Sequence, residues 1–184
     1  MKAHFTQQGD LRTFVHEGAP QQPRLLDLEV SGSSQTLRIL LPSGSNVGQA
    51  LTAVLGQCRY GSAVGRICSG SARQLSYHRM VETDSLERPY DYGAPVMVEE
   101  HITFISGALT VGRDTEGEPL LHCHAGFIDR DGHQHGGHLV LDTLVVGNEP
   151  LVVRLCLFEQ VTYQVQPDSE THFNLLHPVF QEAS

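Results

Sequence analysis

The sequence predicts an α+β domain built on a largely antiparallel sheet. Three observations carry this expectation. One segment repeats its apolar residues at helical spacing, six later runs alternate or are rich in β-branched residues, and Gly, Pro, Asn and Asp punctuate those runs. Strands that follow a helix in series, joined by turns, point to an α+β layout rather than to alternating crossovers.

Residues 1–35 read as an N-terminal extension, interrupted by Gly18, Pro20 and Pro23 and closed by a loop, SGSSQ, at 31–35. Leu11–Val15 and Leu25–Val30 are short strand candidates within it. The domain proper is expected over 36–184. TLRILL at 36–41 reads as a strand, and Pro42, Ser43 and Gly44 turn the chain into a helix capped by Ser45 or Asn46. Val47, Ala50, Leu51, Val54 and Leu55 give that helix one apolar face, and Gly56 stops it. SAVGRICSG, RQLSYHRM, APVMVEEHITFISG, EPLLHCHAGFI, GGHLVLDTLVVG and EPLVVRLCLFEQVTYQV then supply six strands.

Composition narrows the function classes. Twelve Lys and Arg against twenty-one Asp and Glu give a net charge of −9, which repels phosphate backbones. No basic run, Arg-Gly-Arg-Pro hook or aromatic-basic interleaving is present, so direct DNA binding is not expected. The N-terminal MKAHFTQQGDLRTF lacks the apolar core of a signal peptide, and no stretch approaches the roughly 18 apolar residues of a membrane span. The expected location is the cytoplasm, away from membranes. Cys58, Cys68, Cys123 and Cys156 show no CxxC pairing and are expected to be reduced, space-filling thiols.

Five of the eleven His lie in LHCHAGFIDRDGHQHGGHL, residues 121–139. Side chains alternate along a strand, so His122 and His124 project from one face and Leu121, Cys123 and Ala125 from the other. The turn decides whether His138 joins them. A two-residue turn at Asp131-Gly132 would pair His138 with Ala125 and bury it. A three-residue loop, Arg130-Asp131-Gly132, with Gly132 in the left-handed conformation, pairs His138 with His124. That register also gathers Phe127, Leu139 and Leu141 on the apolar face with Leu121, whereas the slipped one splits the set. Gly126 and Gly136 then lie beside the imidazoles and leave room for a ligand.

Three neutral imidazoles from adjacent strands suit zinc or another divalent transition metal, with nitrogen ligands at about 2.0 to 2.1 Å and a fourth position for water or substrate. The metal ligands are therefore expected to be His122, His124 and His138. The competing explanation is a solvated face carrying surface histidines. His133 and His135 fall at the loop and on the other face, as exposed or supporting residues. Glu99, Glu100 and His101 open another strand and are candidate general bases, with neighbours that necessarily face opposite ways. Arg66, Arg73, Tyr77, His78 and Arg79 are candidate anion contacts, against the alternative of scattered surface charge.

The order HxH, Asp-Gly, Gly-Gly-His-Leu resembles the plant and prokaryote conserved (PPC) domain. The resemblance runs over about 36–166 and includes TLRILLPSGSNVGQAL, the Gly-Ser of ICSGSARQL, the strand ending in ISG at 105–107, and LHCH through GGHLV. It implies an antiparallel sheet of about seven strands flanked by helices, commonly assembled as a homotrimer. It also implies metal ligands at His122, His124 and His138. Plant relatives carry DNA hooks ahead of the domain, and prokaryotic ones inherit a DNA-binding label. The family pattern usually has Glu six residues before the strand-ending Gly, where this chain has His101 beside Glu100.

Two functions compete at this point: a zinc-binding, homotrimeric regulatory protein, and a metal-dependent hydrolase or lyase acting on a small polar metabolite. A structural metal that staples the hairpin or an interface is the third reading.

Overall fold

The computed structural model describes residues 5–8, 11–16, 18–23, 32–59 and 61–180. A short hairpin of β1 (Phe5–Gln8) and β2 (Leu11–Phe14) comes first. Then follow β3 (Ser34–Leu41), α1 (Val47–Leu55), β4 (Ser62–Ser69), β5 (Ser71–His78), β6 (Met80–Glu82), β7 (Tyr90–Tyr92) and β8 (Val96–Val98). The second half contains β9 (Ile102–Arg113), β10 (Pro119–Ile128), β11 (Gln134–Val146), β12 (Leu151–Phe158), β13 (Val161–Pro167) and β14 (Asn174–Phe180). The candidate strand Leu25–Val30 lies outside the described residues.

The main sheet has ten strands, ordered β3-β12-β4-β9-β10-β11-β5-β8, with the β13–β14 hairpin joined to β9. β9 is long enough, at 12 residues, to pair with β4 and β10 and still meet β5 at Ser71↔Thr103 and Ala72↔Ile102. Strands β9, β10, β11 and β5 thereby close into a small barrel. Gly126 and Phe127 of β10 face Ser106 and Phe104, so Ile105 is the extra residue of a bulge that bends β9 where the curvature is needed. Phe127 fills the interior with no exposure, and the rings of Tyr77 and Phe104 meet it edge-on at 5.2 and 6.3 Å.

The expected α+β fold with about seven strands flanked by helices is therefore corrected. Among the described residues the chain is nearly all β, with fourteen strands and one helix. The helix is the predicted one: the Asn46 side chain caps the N–H of Gln49, and Gly56 ends it. In β12 burial alternates with period two, the pattern of a strand rather than the apolar stripe a helix needs. Extra strands arise because APVMVEEHITFISG and EPLVVRLCLFEQVTYQV each split in two, and because β6, β7 and β14 are formed from sequence that lacks a clear alternating pattern.

Residues preceding β3 are tied to the far end of the chain. The N–H of Gly18 donates to the Glu170 carbonyl at 3.2 Å, and Gln21 Nε2 donates to Asp168 Oδ1 at 2.8 Å. A Cβ at Gly18 would lie 1.9 Å from the Ser169 carbonyl oxygen, so only glycine allows this approach.

Candidate metal centre

The β10–β11 turn sets the geometry of the site. Gly132 has φ +86°, its N–H donates to the Asp129 carbonyl at 3.2 Å, and the Asp129 N–H donates to the His133 carbonyl at 3.0 Å. The Asp129 carboxylate accepts from the N–H groups of Asp131 and His133 at 2.9 and 2.8 Å. This is the three-residue loop expected from the sequence, and it pairs His124 directly with His138.

The three imidazoles come together. Ring centroids are 4.9 Å apart for His122 and His124, 4.7 Å for His122 and His138, and 5.2 Å for His124 and His138. One potential ligand atom from each lies within 4.8 Å of the other two. His138 Nδ1 is buried without a hydrogen-bond partner, an expensive arrangement for a polar atom that a metal ion would relieve. Burial pushes the His138 pKa down to about 4, with the neighbouring His122, His124 and His78 adding to the effect. Burial lowers His122 and His124 as well, and His124 further lowers His122. The cluster therefore favours the neutral state that metal ligation requires. The residues fit a divalent metal.

Supporting groups surround the triad. His78 pairs with His138 across β5 and β11, and its Nδ1 lies 2.8 Å from the Gly93 carbonyl, to which it donates in the matching tautomer. The Tyr92 ring stands 5.0 Å from that of His138. Burial, and secondarily Asp91, raises its pKa and keeps the phenol protonated. A Cβ on Gly126 would meet nothing nearer than 3.9 Å, so the surface beside His124 is open.

His135 lies on the opposite face from the triad. Its Nε2 is 2.8 Å from Asp129 Oδ2 and its Nδ1 is 3.2 Å from the Tyr77 hydroxyl, so the ring donates to the carboxylate and accepts from the phenol. It stacks on Phe127 at 5.5 Å. His133 is largely exposed, 3.3 Å from the same carboxylate. Glu99, Glu100 and His101 precede β9, whereas the positions paired with His124 and His122 are Ala108 and Thr110. Seven residues separate His101 from Ala108 along that path, roughly 20 Å at strand rise. His101 Nε2 lies 3.2 Å from the Thr103 hydroxyl.

A cavity of about 520 Å³ opens beside the triad, lined by His122 and His138 together with Tyr92, Leu120, Phe173 and Leu176. Its outer wall comes from β13–β14 and from the β6–β7 hairpin. The Arg88 guanidinium lies 4.3 Å over the Phe173 ring and pairs with Asp91 at 2.6 Å, which links the two hairpins. Sequence reasoning missed Tyr92 and the whole β13–β14 wall. Nothing local marks these residues, because only long-range pairing carries them to the triad.

A profile of the Plants and Prokaryotes Conserved (PCC) domain matches residues 29–156. No functionally curated protein matches the sequence. Three solved structures share the fold. A plant- and prokaryote-conserved (PPC) protein from Pyrococcus horikoshii is 17% identical with a TM-score of 0.62, covering 86% of this chain and 99% of that one. A metal-containing protein from Archaeoglobus fulgidus is 19% identical with a TM-score of 0.60, covering 84% and 99%. A "Putative DNA-binding protein" from Ralstonia eutropha JMP134 is 20% identical with a TM-score of 0.60, covering 76% and 89%. At these identities the likeness establishes the fold alone.

Proposed function

Because the chain belongs to the Plants and Prokaryotes Conserved (PCC) domain family, we propose that it is a zinc-binding homotrimer with a regulatory role in the cytoplasm. In this reading residues 36–184 form the metal-binding domain and 1–35 an extension. The observation that carries the reading is the His122, His124, His138 cluster, with ligand atoms within 4.8 Å and a buried, unpartnered His138 Nδ1. Three imidazoles suit zinc among several divalent metals and leave a fourth position toward the cavity.

Assembly is supported by the family and by apolar surface. Met97 on edge strand β8 and Phe180 on edge strand β14 are 51% and 48% exposed. Regulation need not involve direct duplex contact, since the net charge is −9 and the hook is absent. No helix among the described residues is long and apolar enough to cross a membrane.

Metal analysis of the purified protein, paired with His124→Ala, tests the proposal. One zinc per chain is expected, lost in the variant, with sedimentation reporting a trimer. Retention of full metal by His124→Ala would sink the ligand assignment.

The cavity against His122 and His138 favours a second reading, a metal-dependent hydrolase or lyase. A metal there would supply Lewis acidity or an activated water. Leu120, Phe173 and Leu176 would hold an apolar part of the substrate, so a wholly polar metabolite fits less well. Tyr92 is the protonated group nearest the ligands from which a proton transfer can be argued. An activity that survived in the metal-free His124→Ala protein would eliminate this reading.

A further inference from the structure

Arg154 on β12 pairs directly with Arg38 on β3 on one side and with Arg66 on β4 on the other. Directly paired residues share a face of the sheet, so three guanidinium groups line up across three adjacent strands. All three are exposed, and among the described residues none forms an ion pair or a side-chain hydrogen bond. Like charges placed opposite one another destabilise a sheet. Here two such contacts occur in succession, in a protein with twelve cationic side chains against twenty-one acidic ones. The arginines line a cavity of about 470 Å³ together with Ser69 and Ser106.

The row does not stop at the arginines. Arg66 pairs with Ala108 on β9, Ala108 with His124 on β10, and His124 with His138 on β11. One cross-strand line therefore runs from the arginines to the metal ligands, with only the small Ala108 between them. Arg66 and His124 are two strand spacings apart, about 10 Å.

We propose that Arg38, Arg154 and Arg66 form an anion site on the open face of the sheet, adjoining the metal centre, for a compact phosphoryl anion such as a phosphate monoester or pyrophosphate. Guanidinium groups bind phosphoryl oxygens through paired, charge-assisted hydrogen bonds. The row spans about 10 Å across its two strand spacings, room for one or two phosphoryl groups. The surrounding negative charge opposes a long polyanion, so a compact ligand is favoured over a nucleic-acid backbone. The site stands on the arginines and is independent of the metal reading.

The test is calorimetric titration of the full-length, chelator-treated protein with sodium pyrophosphate, against sodium chloride at equal ionic strength. Saturable binding is expected, weakened at least tenfold in Arg154→Gln and unchanged in Arg130→Gln. Arg154→Gln should also melt no lower than the parent in the absence of ligand, because it relieves like-charge contacts. Arg154→Gln should keep the parent's zinc stoichiometry, which separates this proposal from the metal assignment. The site is overturned by heat no greater than the chloride control, or by undiminished binding in Arg154→Gln. It is equally overturned if Arg154→Gln dissociates an oligomer, which would make the arginines interface groups. Arg154-dependent retention of a short DNA duplex without pyrophosphate binding would replace it with a nucleic-acid site.

Discussion

The Asp129 carboxylate accepts a hydrogen bond from His135 Nε2 at 2.8 Å while also holding the N–H groups of Asp131 and His133. One side chain thus fixes the loop whose length puts His138 opposite His124. The His135 bond is the largest cause of the drop in its pKa to about 2, assisted by the two backbone N–H groups.

A carboxylate whose folded pKa is depressed contributes stability above its unfolded value, near 3.8, and that contribution is lost as pH falls toward about 2. Asp129→Asn is expected to lower the melting temperature at pH 7 and to differ little from the parent at pH 2. It should also weaken metal binding, because a register slip would move His138 to the other face. Melting curves across pH, with a chromophoric chelator as competitor, check both outcomes. Unchanged metal affinity would show that the loop is held by other groups.

The metal-free triad has its own pH signature. Its three imidazoles have folded pKa values below the ordinary 6.5, so the unfolded chain binds protons more readily. Stability from this cluster is present above pH 6.5 and declines as pH falls toward about 4, the value for His138. Metal present at a hundred times its dissociation constant should add about 2.7 kcal/mol at pH 7 and nearly nothing at pH 4. Calorimetry with and without zinc at the two pH values measures this, and an equal gain at both would contradict ligation by these histidines.

Cys123 separates His122 from His124 and points into the core with no exposure. Burial pushes its thiol pKa up to about 12, so it should resist iodoacetamide in the folded protein and react in denaturant. Cys123→Ser should keep full metal stoichiometry while losing about 1–3 kcal/mol from a buried hydroxyl. Loss of metal without unfolding would place the thiol among the ligands.

Phe127 lies inside the barrel against Tyr77, Phe104 and His135. Phe127→Ala should cost about 3–5 kcal/mol, read from urea midpoints at constant slope. A loss below about 1 kcal/mol would mean that the barrel collapses around the missing ring.

Much of the site was legible because its determinants are local. HCH alternates faces by strand geometry, and Asp129 through Gly132 carry the turn chemistry that chooses the register. The helix at Val47–Leu55 was readable for the same reason, with a cap, an apolar face and a stop in one short stretch. The barrel was not, because it depends on β9 meeting β5 at Thr103 and Ile102, and no local pattern encodes which distant strand closes a ring. The flanking helices came from family likeness, and among the described residues Val47–Leu55 is the one helix that forms. Tyr92 and Phe173 reach the triad through two hairpins whose individual sequences carry no sign of a cavity.

The outer wall of that cavity comes from a part of the chain separate from the histidines it faces. The three histidines fall inside the family match at 29–156, whereas Tyr163, Phe173 and Leu176 lie beyond it. A terminal hairpin can be lengthened, exchanged or trimmed without altering the His122–His124–His138 register. Changes in this part of the chain would alter which molecule reaches the three imidazoles while leaving their spacing untouched.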